Sequence, residues 1–358
     1  MDRAAHGQAR VDTLYLGGGT PSLMTEAQLG KIMEVVRASY DLMPDAEITL
    51  EVNPGTADYE KLAAFHRVGV NRLSIGAQSF ISSELQMLGR IHSSAQISEV
   101  FGAAREAGFD NLSLDLMSAL PGQTMESWAY NLGEAVRLGP EHLSCYSLII
   151  EEGTPFAKMS LPPLPSEEED RAMYHFTGSF LQSHGYARYE ISNYAKTGYE
   201  SRHNLGYWTG HEYLGIGLGA SSCLQGERFH NPQEMETYEQ AVQTMMSVCD
   251  QREAPADAGA EMPVENPNKS TDVMRMEVQK LSREDRMEEF MFLGLRCTRG
   301  VSEAAFQEEF GVEIDTVYGD VIRRHLAQGV LRREDGRLFL SEYGLDVASY
   351  VMADYLMG

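Results

Sequence analysis

Paired cysteines are missing from this sequence. Its four cysteines, Cys145, Cys223, Cys249 and Cys297, are scattered, and no two stand at CxxC or CxxxC spacing. That excludes a disulfide framework in a chain this long, and no iron–sulfur or zinc signature can be written from them. Long apolar runs are missing too, as is a basic segment followed by an apolar one near the start. A membrane-spanning helix and a secretory signal are therefore not expected, and the default location is the cytoplasm. Positive charge is scarce: 29 Lys and Arg stand against 53 Asp and Glu, a formal net charge of −24. Sequence-independent binding to nucleic acid is not expected from that balance.

Much of what is present is ordinary. The 358 residues, 43% of them hydrophobic, can bury a large core in more than one domain. Less ordinary is VDTLYLGGGTP at Val11–Pro21, an apolar strand running into three glycines. Val11, Leu14 and Leu16 mark a buried strand, and Gly17, Gly18 and Gly19 bare the backbone where a ligand can lie on its N–H groups. Thr25 then opens a helix with Gln28 three residues on, at capping-box spacing.

From residue 11 to about 150 short apolar strands alternate with amphipathic helices. The strands are expected at 12–16, 47–52, 72–76, 111–116 and 143–148, with a sixth at 187–191. Helices are expected at 26–39, 58–67, 94–107 and 125–137. This is the pattern of consecutive βα units around a parallel sheet or barrel. Residues 1–150 form the first division and 151–250 its completion. The polar, proline-containing stretch 251–282 is a linker. Residues 283–358 read as helices at 285–296, 302–309 and 315–328, a hairpin turning at Asp335-Gly336, and a last helix at 342–355: a winged-helix-like module. Glu303, Glu308, Glu309, Glu313 and Asp315 make it a poor DNA binder and a better packing or interaction module.

Polar residues interrupt the strands where strand propensity would not place them. Glu51 sits in ITLEVNP, Gln78 in LSIGAQSF and Asp115 in LSLDLM, while Gly17–Thr20 follow the first strand. Strand ends of a parallel barrel converge on one mouth, and buried carboxylates or amides there need partners. Arg90, in LGRIHS, adds a cation suited to a carboxylate. A ligand offering an amino group, a carboxylate and a ribose satisfies the set; a sugar phosphate or general acid–base work is the competing reading. Gly215, Gly217 and Ala220 in LGIGLGASS fit a dinucleotide fingerprint, but SSCLQGERFH after them forms no helix, so a tight turn explains them better.

GGGTPS, EVNP, GAQSF followed by LGRIH, and DLMSALPGQT, in that order, resemble the HemN/HemW group of radical S-adenosylmethionine (SAM) proteins. HNLGYW at His203–Trp208 resembles the motif of that group's heme-chaperone branch rather than its oxygen-independent coproporphyrinogen III dehydrogenase branch. MEEFMFLGLRCTRGVS resembles the group's C-terminal domain. The likeness spans nearly the whole chain outside the linker. It implies an α/β fold, an incomplete (β/α)6-type barrel followed by the mostly helical, winged-helix-like domain. It implies that Gly18, Gly19, Thr20, Glu51, Gln78, Arg90 and Asp115 contact SAM. It implies heme as a ligand and heme-accepting respiratory proteins as partners, membrane-associated acceptors among them, with a homodimer allowed.

The chain departs from the group in one respect. The group carries a first strand and a CxxxCxxC-type loop holding a [4Fe–4S] cluster, and neither precedes GGGTP here. A truncated gene model or fragment is the expected explanation, and a cluster-free member the alternative. No metal site and no radical catalysis are expected of the chain as given, and the 12–16 strand is expected to be an exposed apolar edge. His203, Asn204, Tyr207 and Trp208 form the candidate heme region, where a histidine beside a Tyr-Trp pair offers an axial ligand and a flat aromatic surface. A hydrogen-bonded core histidine is the competing reading, and His142, at a strand start, is expected to be structural.

Overall fold

A computed structural model describes residues 9–154, 156–253 and 272–357. The order of elements is β1 (Arg10–Leu16), α1 (Glu26–Ser39), β2 (Asp41–Val52), α2 (Tyr59–Arg67), β3 (Arg72–Gln78), α3 (Ser82–Met87), α4 (Ser94–Glu106), β4 (Leu112–Ser118), α5 (Met125–Leu138) and β5 (His142–Ser147). There follow α6 (Glu167–Ser183), β6 (Ala187–Arg188), β7 (Asn193–Ala195), α7 (Arg202–Trp208), β8 (Ser221–Leu224), β9 (Glu227–His230), α8 (Met235–Glu253) and β10 (Met276–Lys280). The last block is α9 (Arg283–Gly294), β11 (Val301–Ser302), α10 (Glu303–Phe310), α11 (Ile314–Gln328), β12 (Leu331–Glu334), β13 (Arg337–Leu340), α12 (Glu342–Asp346) and α13 (Ala348–Ala353).

The main sheet runs β1-β2-β3-β4-β5-β7-β6, and its first five strands are parallel. Each alternates in period two. One face carries Leu14, Leu16, Ile48, Leu50, Val52, Leu73, Ile75, Leu112, Leu114, Leu116 and Leu143, which form the core with Leu29 and Met33 of α1, Phe65 of α2, Phe101 of α4 and Trp128 of α5. The other carries Thr13 and Tyr15, Glu47, Thr49 and Glu51, Arg72 and Ser74, Ser113 and Asp115, and His142 and Ser144. Parallel sheets usually bury two apolar faces. Here the helices cover one, and the twisted sheet curls so that the polar face becomes its concave interior.

Local signals act as the sequence predicts. Thr25 Oγ1 accepts from the Gln28 backbone N–H at 3.2 Å while Gln28 Oε1 accepts from Thr25 N–H at 2.8 Å, so the capping box starts α1. Asp335 and Gly336 turn the β12–β13 hairpin, both at positive φ, 50° and 71°. Around it α9, α10 and α11 enclose a second core of Met287, Met291, Phe306, Phe310, Tyr318, Ile322 and Leu338.

Four expectations change. The sixth strand is a short antiparallel pair, β6 and β7, with β7 joined to β5, because residues Tyr189–Ser192 turn the chain back between them. The 251–282 linker is structured at both ends: α8 runs to Glu253 and β10 pairs with β9, while residues 254–271 lie outside the described residues. The last helix divides at Val347, whose backbone leaves the helical range at φ −120° and ψ 25°. Finally, β1 stands at the sheet edge among the described residues, yet it is not a bare apolar strip: Thr13 and Tyr15 lie against α7.

Leu114 is fully buried between sheet and helices. Leu114→Ala is expected to lower stability by about 3 kcal/mol through lost transfer energy plus a cavity. Urea unfolding followed by circular dichroism checks this, and a loss below about 1 kcal/mol would contradict the packing described.

Candidate functional site

The interior polar groups meet in two linked clusters. In the first, the Tyr15 hydroxyl donates to Glu51 Oε1 at 2.8 Å, and the Gly18 backbone N–H donates to Glu51 Oε2 at 3.3 Å. The carboxylate on β2 therefore holds the glycine loop after β1. Gly18 and Gly19 adopt φ of 76° and 71°, the left-handed region that glycine enters at no steric cost. Gly17 is glycine for space: a Cβ there would stand 2.6 Å from Tyr15 Cε1 and 2.9 Å from Glu51 Oε1. Thr20 follows at the entrance to a short 3₁₀ turn, and its Oγ1 accepts from Asn53 Nδ2 at 3.5 Å.

Asp115 lies in the middle of β4 rather than at its end, and accepts both contacts of the Ser74 hydroxyl, at 3.0 and 3.2 Å. Burial pushes its carboxyl above the usual range, partly opposed by the hydroxyls of Ser144 and Ser74 and by Arg72. Arg72 opens β3, is 2% exposed, and its side chain makes no hydrogen bond or ion pair among the described residues; its Nε is buried without a partner. Its charge acts on Tyr15, Asp115, His142, Tyr189 and His203. Gln78 ends β3 with φ 62°, a conformation costly for a non-glycine residue. Arg90 follows α3, half-buried and without an ion pair among the described residues.

The second cluster is built on α7. Glu47 of β2, buried, accepts from the Arg202 and His203 backbone N–H groups at 3.1 Å each and from the Ser201 hydroxyl at 3.4 Å. That carboxylate satisfies the first turn of α7 and complements its dipole. It thereby sets His203 against β1. His203 Nδ1 is 2.9 Å from Thr13 Oγ1, its Nε2 is 3.1 Å from the Tyr207 hydroxyl, and its ring stacks on Tyr15 with centroids 4.9 Å apart and planes at 19°. Tyr207, 36% exposed, meets His203 and Tyr213 edge-on. Burial lowers the His203 pKa. Asn204 completes the turn through its N–H to Ser201 Oγ at 3.3 Å. Trp208 does not present the open aromatic face expected of it, because the Arg296 guanidinium lies 4.3 Å over its ring and its indole nitrogen is buried without a partner.

His142 is structural, as expected, held at 2.7 Å by Ser113 and at 2.8 Å by the Tyr189 hydroxyl. The glycine-rich Gly215–Ala220 turn leads into β8, not a helix. Sequence reasoning passed over Thr13, Tyr15, Glu47 and Arg72. Their signal was the alternation itself, a polar residue at every second strand position. Cys145, Cys223 and Cys297, the cysteines whose side chains are described, do not suit a [4Fe–4S] cluster. Burial raises the thiol pKa values of Cys145 and Cys223 and pushes Cys297 up to about 11, and no three candidate ligands meet among the described residues.

The profile described as the radical SAM superfamily matches residues 1–131, and that of the HemN C-terminal domain matches residues 281–347. The heme chaperone HemW of Bacillus subtilis is 35% identical over 363 residues, covering 99% of this chain and 87% of that protein. The heme chaperone HemW of Lactococcus lactis is 33% identical, covering 97% and 85%. The mitochondrial radical S-adenosyl methionine domain-containing protein 1 of Mus musculus is 35% identical, covering 98% and 76%. Among solved structures, the coproporphyrinogen III oxidase HemN of Escherichia coli superposes with a TM-score of 0.78 at 22% identity, over 97% of this chain and 78% of that one, which is a likeness of fold.

Burial holds His142 neutral, its pKa well below the ordinary 6.5, and burial lowers His92 and His203 as well. A depressed histidine costs no stability while it is neutral in both the folded and the unfolded state. As pH falls below 6.5 the unfolded chain binds a proton that folded His142 refuses, and stability drops by up to about 1.4 kcal/mol per pH unit. His142→Gln is expected to flatten stability curves measured between pH 7 and 5. An unchanged slope would contradict the buried, neutral state. The identity to the heme chaperones named above extends over almost the full length, and this chain belongs to the HemW family of the radical SAM superfamily.

Proposed function

We propose that the chain binds heme and passes it to heme-accepting respiratory proteins, membrane-associated ones included. The observation that carries this reading is the setting of His203, in a chain 35% identical to a named heme chaperone. When Nδ1 donates to Thr13, the Nε2 lone pair is the one that accepts from Tyr207, and it is also the pair a heme iron takes. Tyr207 is the half-exposed partner and the one an incoming heme displaces, while Tyr15 keeps the imidazole plane fixed. Asn204 and Glu47 hold the helix, and Trp208 supports it from the C-terminal side.

SAM is the proposed ligand of the first cluster, with Gly18, Gly19 and Thr20 at its methionine end and Glu51, Gln78, Arg90 and Asp115 around it. The charges of these side chains support this: Glu51 and Asp115 suit the ammonium and ribose hydroxyls of SAM, and Arg90 suits its carboxylate. The site would supply binding and orientation; the radical chemistry of the superfamily belongs to SAM and its cluster, which these cysteines do not fit. The dehydrogenase reading gains support from fold likeness alone. No helix among the described residues is long and apolar enough to cross a membrane.

Titrating the purified chain with hemin and following the Soret band tests the proposal. One equivalent is expected to bind, and His203→Ala is expected to weaken it at least about tenfold, or 1.4 kcal/mol, with a shifted Soret maximum. Equal affinity and an unmoved band in the variant would remove His203 as the ligand.

A further inference from the structure

The two clusters share one side chain. Tyr15 gives its hydroxyl to Glu51 at 2.8 Å and its ring face to His203 at 4.9 Å. Glu51 in turn holds the Gly18 N–H. Loop backbone, carboxylate, phenol and imidazole thus form one contiguous chain, and all but the imidazole ride on β1, β2 and the glycine loop after β1. We propose that Tyr15 is a positioning residue that couples the Glu51 site to His203, so that a ligand engaging Glu51 changes heme affinity at His203.

Three features make the coupling physical. First, burial and the neighbouring Glu51 and Asp115 carboxylates raise the phenol pKa, so Tyr15 remains a donor at any physiological pH and Glu51 always has it as a partner. Second, a Cβ at Gly17 would collide with both Tyr15 and Glu51, so the pair is packed to a tolerance of less than one methyl group. A ligand cation or hydroxyl that draws Glu51 toward the mouth must move the phenol with it. Third, His203 cannot absorb such a shift by sliding along its helix, because Glu47 holds its backbone N–H and Thr13 its Nδ1. The remaining freedom is ring tilt, which sets the direction of the Nε2 lone pair. Reciprocity then requires that heme at His203 alter affinity at the Glu51 site by the same factor.

The proposal rests on His203 as the heme-facing group and Glu51 as the ligand-facing one, and its test separates it from both. The first readout needs no ligand: the His203 ring resonances, identified by their loss in His203→Gln, are compared in wild type, Glu51→Gln, Tyr15→Phe and the double variant. Glu51→Gln is expected to shift them in wild type and to leave them unmoved in the Tyr15→Phe background, where the stack persists but the link is cut. A shift of equal size in both backgrounds, or none in either, overturns the coupling whatever the chain binds. The second readout is the hemin dissociation constant with and without SAM, SAM binding itself being followed by calorimetry. A change of about fivefold or more is expected in wild type and none in Tyr15→Phe. Failure of hemin or SAM to bind would fall on the proposed function, while the resonance cycle alone decides the role of Tyr15.

Discussion

A carboxylate on the second strand accepts the first two backbone N–H groups of a helix that arrives more than 150 residues later. The arrangement of the interior depends on that contact. A helix N-terminus carries unsatisfied donors and partial positive charge, and a buried carboxylate lacks water, so each satisfies what the other would lose on burial. Glu47 provides this at the concave face of the sheet, and α7 is thereby laid against β1 with His203 inward. The other contacts of α7 with the sheet are His203 on Thr13 and Tyr15 and the more exposed Arg202 on Asp12 and Asp45.

The same constraint explains the sheet. A parallel strand covered by helices on one side and facing a polar interior on the other must alternate, and every inward polar group must find a partner or a ligand. Ser74 serves Asp115, Tyr15 serves Glu51, and Ser113 and Tyr189 serve His142. Two interior groups lack such a partner among the described residues, Thr49 Oγ1 and the Arg72 Nε, and Arg72 acts at a distance through its charge. It favours the charged form of the buried Asp115 carboxylate without a direct ion pair.

The βα units were legible because their signals are local. The Thr25–Gln28 box, the Asp335-Gly336 turn and the apolar period of β2 to β5 act within a few residues. Glu51 and Asp115 stood out as charges inside apolar runs. Glu47 did not, since it precedes its run and is satisfied from a distant helix, and Tyr15 passed as an ordinary strand aromatic. Trp208 looked like a ligand surface because nothing nearby in sequence shows that Arg296 covers it. Short pieces such as β6, β7 and β10 leave too few residues for a period to register.

Arg296 gives the two cores a shared boundary. Its guanidinium lies on Trp208 and reaches Glu190 at 3.4 Å, a carboxylate with no exposure to solvent. Cutting the chain ahead of α9 would leave that carboxylate with two amide donors and no cation, and would bare one face of the tryptophan. The C-terminal module is therefore not a passenger that can be trimmed or exchanged. Its inheritance is tied to the HNLGYW motif, and a chimera joining the two halves from distant relatives would have to carry the arginine, the glutamate and the tryptophan together.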